Sequence, residues 1–162
     1  MADHQEMLDD LIYFARTGEL EEIKQIKASA KDFVEKDESG KTALHMASAN
    51  NHVGIVEYIV ERLHELDENT IIRSIDTQNA EGNTPLHWAA LNGHLDVVKI
   101  LVKEGGDCKI KNSMGVSPIY EAQQRNQEEI AKFFLETMIE DDEEPVNEEE
   151  QIVEKGVSST LE

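Results

Sequence analysis

Cysteine is almost missing from this sequence: Cys108 is the only one in 162 residues. No disulfide can close within the chain, so stability has to come from packing. Basic residues are scarce as well, with 15 Lys and Arg against 35 Asp and Glu, a formal charge of -20. Such a surface repels phosphate, which argues against nucleic acid and anionic membrane as direct partners and for a basic protein or peptide. No apolar run approaches the ~20 residues that cross a bilayer, and residues 1–10 lack the apolar centre of a secretion signal. These absences predict a reducing compartment, cytoplasm or nucleus. Cysteine clusters, a phosphate-cradling glycine loop and a nucleophile turn are also missing. The many carboxylates read as solvated faces, none set apart by apolar neighbours. The sequence therefore predicts no catalytic residue, no metal and no cofactor. A hydrophobic fraction of 39% leaves room for a modest core.

What the chain does have is repetition. Gly40-Lys41-Thr42-Ala43-Leu44-His45-Met46-Ala47 returns as Gly82-Asn83-Thr84-Pro85-Leu86-His87-Trp88-Ala89. Each is followed by a matching stretch, Asn50-Asn51-His52-Val53 and then Asn92-Gly93-His94-Leu95. Weaker echoes flank these, Phe14-Ala15-Arg16-Thr17-Gly18 ahead and Gly115-Val116-Ser117-Pro118-Ile119-Tyr120-Glu121-Ala122 behind, the latter leading to Asn126. Gly18, Asn51, Gly93 and Asn126 share one register, at separations of 33, 42 and 33 residues. Gly and Asn are the residues that tolerate a left-handed backbone, which a tight helix–helix turn needs. Thr42 and Thr84 are placed to cap a helix, and Pro85 and Pro118 follow at the first helical position. Val53, Val56, Ile59 and Val60, and then Leu95, Val98, Leu101 and Val102, have the spacing of a second helix in each unit.

The Thr-Pro-Leu-His-x-Ala pattern and the period of about 33 resemble the ankyrin-repeat family. The resemblance implies an all-α solenoid of four helix-pair units, about 5–35, 36–77, 78–111 and 112–136. Together they make a domain over 1–136, followed by an acidic tail over 137–162. Tyr120 and Glu121 depart from the repeat and suggest a solvent-facing end cap. The family frame also implies that His45, His52, His87 and His94 are hydrogen-bonding struts rather than metal ligands, and that Trp88 packs into the core. Cys108 is expected to pack as a small apolar residue. Partners of such stacks dock on the concave side, formed by loop tips and first helices. The variable positions there are Glu38, Ser39, Lys41, Ala49 and Asn50; Ala80, Glu81, Asn83, Leu91 and Asn92; and Ser113, Met114, Val116, Gln124 and Arg125. These are the candidate partner-binding residues, suited to a helix or extended peptide bearing apolar and basic groups.

Two features exceed the plain repeat. Nine extra residues fall within 61–78, where a lengthened second helix ending near Asp67 and then a long finger loop are expected. From Glu136 to Glu162, 11 acidic residues stand against Lys155 alone, a composition that resists folding by self-repulsion and predicts disorder. The segments 42–47, 82–84, 86–89, 91–93 and 95–99, with the long middle spacing and the acidic tail, resemble fungal members of the family that chaperone the third protein of the small ribosomal subunit. That resemblance implies a monomer that shields a basic ribosomal protein in cytoplasm and nucleus. A general ankyrin adaptor in signalling or transcription is the second reading, and an enzyme or metal protein the third.

Overall fold

The structure, a computed structural model, describes residues 2–142. A boundary between Ala131 and Lys132 separates two units. Among the described residues the chain is all-helical: nine α-helices, one 3-10 helix and no strand. In order these are α1 (Ala2–Thr17), α2 (Leu20–Gln25), a 3-10 turn (Ala30–Val34), α3 (Ala43–Ala49), α4 (Val53–Leu63), α5 (Glu68–Ile75), α6 (Pro85–Leu91), α7 (Leu95–Lys103), α8 (Pro118–Gln124) and α9 (Glu128–Asp142).

Local chemistry explains where these elements begin and turn. Thr42, Thr84 and Ser117 are the N-caps of α3, α6 and α8, their hydroxyls accepting the backbone N–H of His45, His87 and Tyr120. Pro85 and Pro118 open α6 and α8, where a proline forfeits no hydrogen bond. All four turn residues of the expected register are left-handed: Gly18 at φ 85°, Asn51 at 58°, Gly93 at 77° and Asn126 at 57°.

The first helices stack in the order α1, α3, α6, α8, and α4 packs on α7 in a second layer. Leu11, Leu44 and Leu86 from the first layer and Ile59, Val98 and Leu101 from the second are wholly buried. Successive units are tied by imidazole. His45 Nε2 donates to the Asn83 carbonyl at 2.8 Å and His87 Nε2 to the Val116 carbonyl at 2.8 Å. Their Nδ1 atoms accept from the Thr42 and Thr84 hydroxyls, and for His87 also from the Thr84 N–H at 3.0 Å. That pattern fixes the neutral Nε2–H tautomer. Burial pulls the pKa of His45 down to about 4 and lowers that of His87. In a second row, His52 Nε2 reaches the Arg16 carbonyl at 2.8 Å and His94 Nε2 the Ala49 carbonyl at 2.9 Å. All four histidines are thus the struts that the repeat frame implies.

Two expectations are corrected. The second helix is lengthened, 11 residues in α4 against nine in α7, but it stops short of Asp67, and the rest of 61–78 is not a long loop. Instead α4 ends at Leu63 and α5 follows, capped by Asp67, whose Oδ1 accepts the Thr70 N–H at 3.0 Å. Ile75 anchors α5 in the core, while Ile72 stays 40% exposed. At the other end, residues 137–142 were expected in the tail but belong to α9. From Lys132 onward that helix carries a Lys132–Glu136 contact at 3.9 Å, and the Thr137 hydroxyl donates to the Phe133 carbonyl at 2.9 Å. The rest of the predicted disordered tail, from 143, lies outside the described residues. No described helix is long and apolar enough to cross a membrane. Cys108 is buried, as its small apolar character suggests.

Candidate protein-binding face

Three finger turns precede α3, α6 and α8, and each is shaped by one side chain. Asp37 Oδ1 accepts the backbone N–H of Ser39 and of Lys41, both at 2.9 Å. Asn79 Oδ1 does the same for Glu81 and Asn83 at 3.0 and 2.9 Å, and Asn112 Oδ1 for Met114 and Val116 at 3.0 Å each. Such side-chain-to-backbone bonds mould a turn without help from the rest of the fold. Burial alone would push the Asp37 carboxyl up. The hydrogen bonds from Ser39 and Lys41 outweigh it and hold its pKa below the ordinary carboxylate value.

The fingers then lock to one another. The Ala80 N–H donates to the Ser39 carbonyl at 3.1 Å and the Ser113 N–H to the Glu81 carbonyl at 3.0 Å. Gly40 and Gly82 lie against the next finger so closely that an added Cβ would stand 2.6 Å from the Ala80 nitrogen and 2.8 Å from the Ser113 nitrogen. A Cβ added to Gly115, on the last finger, would meet nothing within 4 Å.

Most of the sequence-predicted binding residues come together on this finger-and-first-helix side. Glu38, Ser39, Ala80, Glu81, Ser113 and Met114 are exposed at the finger tips, Met114 to 84%. Lys41 and Val116 are half-buried at the finger bases. Ala49, Leu91 and Gln124 align at the ends of α3, α6 and α8, Gln124 exposed and the other two half-buried. Arg125 is exposed as the C-cap of α8. The three asparagines of the set have structural occupations. Asn50 and Asn92 turn their amides back to the Met46 and Trp88 carbonyls at 2.8 and 2.9 Å, closing α3 and α6. Asn83 Oδ1 accepts from the Asn112 amide at 2.8 Å, a bridge between fingers.

Other residues on this side escape the sequence reading. Gln5, Asp9, Asp37, Glu38 and Ser39 line a depression of ≈330 Å³ that holds three carboxylates and no cation. The α1 contribution was invisible because the first repeat is too degenerate to place Gln5 and Asp9. Tyr13 and Tyr120 are 55% and 48% exposed. Trp88 is half-buried rather than core. Its ring meets the His45 imidazole edge-on at 5.5 Å between centroids, and the Lys41 ammonium lies 6.0 Å from its centre. A larger groove of ≈490 Å³ lies elsewhere, between α5 and the end of α7 around Ile71, Ile72 and Gly105.

The chain matches the family model described as "Ankyrin repeats (3 copies)" over residues 4–70 and 63–144. This chain belongs to the ankyrin-repeat family. It is 40% identical to the ankyrin repeat-containing protein P16F5.05c of Schizosaccharomyces pombe, across 93% of this chain and 99% of that one. It is 38% identical to the ankyrin repeat-containing protein YAR1 of Saccharomyces cerevisiae, across 96% of this chain and 80% of that one. It also resembles a chain in the crystal structure of the yeast ribosomal protein Rps3 in complex with its chaperone Yar1. The TM-score there is 0.78 at 39% identity, over 88% of this chain and 98% of that one. The finger turns, imidazole struts and left-handed turns above are thus the ankyrin frame.

Proposed function

We propose that this chain is a dedicated chaperone of a basic small-subunit ribosomal protein, the counterpart of Rps3, and holds it soluble until assembly. The observation that carries this reading is a likeness over 88–96% of this chain, at 38–39% identity, to a protein described as the chaperone of Rps3. The electrostatics support it independently. A chain of formal charge -20 attracts a lysine- and arginine-rich protein and competes with RNA for the same cationic surface. The candidate face offers acidic finger tips beside half-exposed apolar groups, the pairing that a basic amphipathic segment needs.

On this reading the protein acts by binding, as a monomer, in cytoplasm and nucleus, and performs no catalysis. Affinity purification from cells with mass spectrometry tests it: one small-subunit ribosomal protein in near-stoichiometric yield is expected. Recovery of kinases or transcription factors without it would support an ankyrin adaptor instead. A triple substitution of Glu81, Leu91 and Asn92 to alanine should weaken cargo binding, and unchanged affinity would remove this face from the interaction.

A further inference from the structure

The only tryptophan of the chain lies on the candidate face, in a setting that packing alone does not require. Its position in the repeat is filled by Met46 one unit earlier, and Met46 is buried to 5% exposure. Trp88 is larger and leaves part of its ring in solvent. His45 supports it from the side, and His45 is itself pinned by Thr42 and by the Asn83 carbonyl. The outer face is open to a cation, since the Lys41 ammonium stands over it at 6.0 Å. Lys41 is fixed through its backbone to Asp37. Asp37 attracts its charge, but among the described residues no carboxylate lies within ion-pair distance of its Nζ, so the side chain can swing away at small cost.

We propose that the open face of Trp88 seats an arginine or lysine side chain of the basic partner, and that Lys41 fills this seat until the partner displaces it. This rests on the function proposed above and goes beyond it by naming the contact. An indole ring is the best of the aromatic faces for a cation, and the attraction grows when the pair is shielded from water. A guanidinium also stacks on the ring, which an ammonium does not. Lys41 thus acts as an internal competitor: weak cations fail to dislodge it, and a guanidinium held in place by the rest of a cargo succeeds.

Because Trp88 is the sole tryptophan, its fluorescence reports on this seat alone in titrations with a tryptophan-free form of the purified Rps3 counterpart. Binding should shift or quench the emission and protect it from acrylamide. Trp88→Leu should weaken binding about 10-fold with an unchanged melting temperature. Trp88→Phe, which keeps a ring, serves if the leucine variant is unstable, and should lose less. Lys41→Gln should tighten binding more than Lys36→Gln, which removes the same charge from the same segment. In the Trp88→Leu background the two should be equal. Cargo that binds with unaltered emission, and binds Trp88→Leu as tightly as the unaltered chain, would overturn the seat and leave the chaperone reading standing. Failure of the cargo to bind the unaltered chain at all would overturn both.

Discussion

Gly40 and Gly115 occupy equivalent places in the first and last fingers, at φ 79° and 76°, yet their neighbours differ. Alanine at either position suffers the left-handed strain, about 1 kcal/mol. At Gly40 its Cβ would also collide with the Ala80 nitrogen, and backbone cannot step aside cheaply. Urea denaturation should therefore show Gly115→Ala destabilised by about 1 kcal/mol and Gly40→Ala by about 3 kcal/mol or more. Equal losses would mean that the finger-to-finger contact contributes nothing. Individual residues of this kind were the most legible part of the sequence. The Gly/Asn register and the Thr caps follow from backbone sterics and hydrogen bonding within a few residues, and need no knowledge of the fold. Trp88 was not legible, because exposure depends on what the neighbouring repeat places over the ring.

Among the α-helices, α5 is the one that the sequence pattern did not predict. A signal was there: Asp67 at a cap position, Thr70 three residues on, then Ile71 and Ile75 at helical spacing. Its anchor can be tested directly. Ile75→Ala should cost about 3 kcal/mol, as for other fully buried isoleucines, whereas Ile72→Ala should cost well under 1 kcal/mol. Matching losses would show that α5 is held by something other than Ile75. Asp76, the C-cap of α5, ties this helix to the segment after α7 by accepting the Asp107 N–H at 3.1 Å. Burial pushes its carboxyl up to about 6, against that hydrogen bond, and the Asp107 charge adds to the rise.

Two titrations then oppose each other. The folded chain takes the Asp76 proton first, so the cost of its charge is full above pH 6 and is relieved as pH falls from 6 toward 3.8. His45 behaves the other way. The unfolded chain takes its proton first, so the stability from the neutral strut is full above pH 6.5 and is lost as pH falls through about 4. Asp76→Asn should thus stabilise the protein at pH 7 by about 1–2 kcal/mol, after discounting for the solvent that still reaches the carboxylate. The gain should vanish near pH 4. Paired denaturation curves at the two pH values check this, and a loss at pH 7 would show that the charged carboxylate is a net asset.

For the molecule as a whole, charge sets how a partner arrives more than how long it stays. Association with the basic cargo should slow at least 10-fold between 50 and 500 mM salt, while dissociation changes only a few-fold. Stopped-flow traces at several ionic strengths separate the two rates. A salt-insensitive association rate would remove steering from the mechanism. At this scale composition predicts a basic partner, and the repeat predicts a finger-and-first-helix face for it. The acidic depression beside Asp9 and Glu38 needed coordinates, because it joins residues of α1 to a finger about thirty positions later. The end of α9 was also hidden. A run of like charge reads as disorder, but 137–142 continue a helix that is already nucleated, and extending a helix is much easier than starting one.

The 42-residue spacing between Asn51 and Gly93 has a further meaning. The stack takes its register from the left-handed turns and imidazole struts, which the added helix α5 leaves undisturbed. Length between these struts therefore accommodates at least one added helix. The stretch joining Leu63 to Asp67 marks a seam where new sequence can be spliced in, by evolution or by an engineer placing a reporter, without the neighbouring repeats losing count.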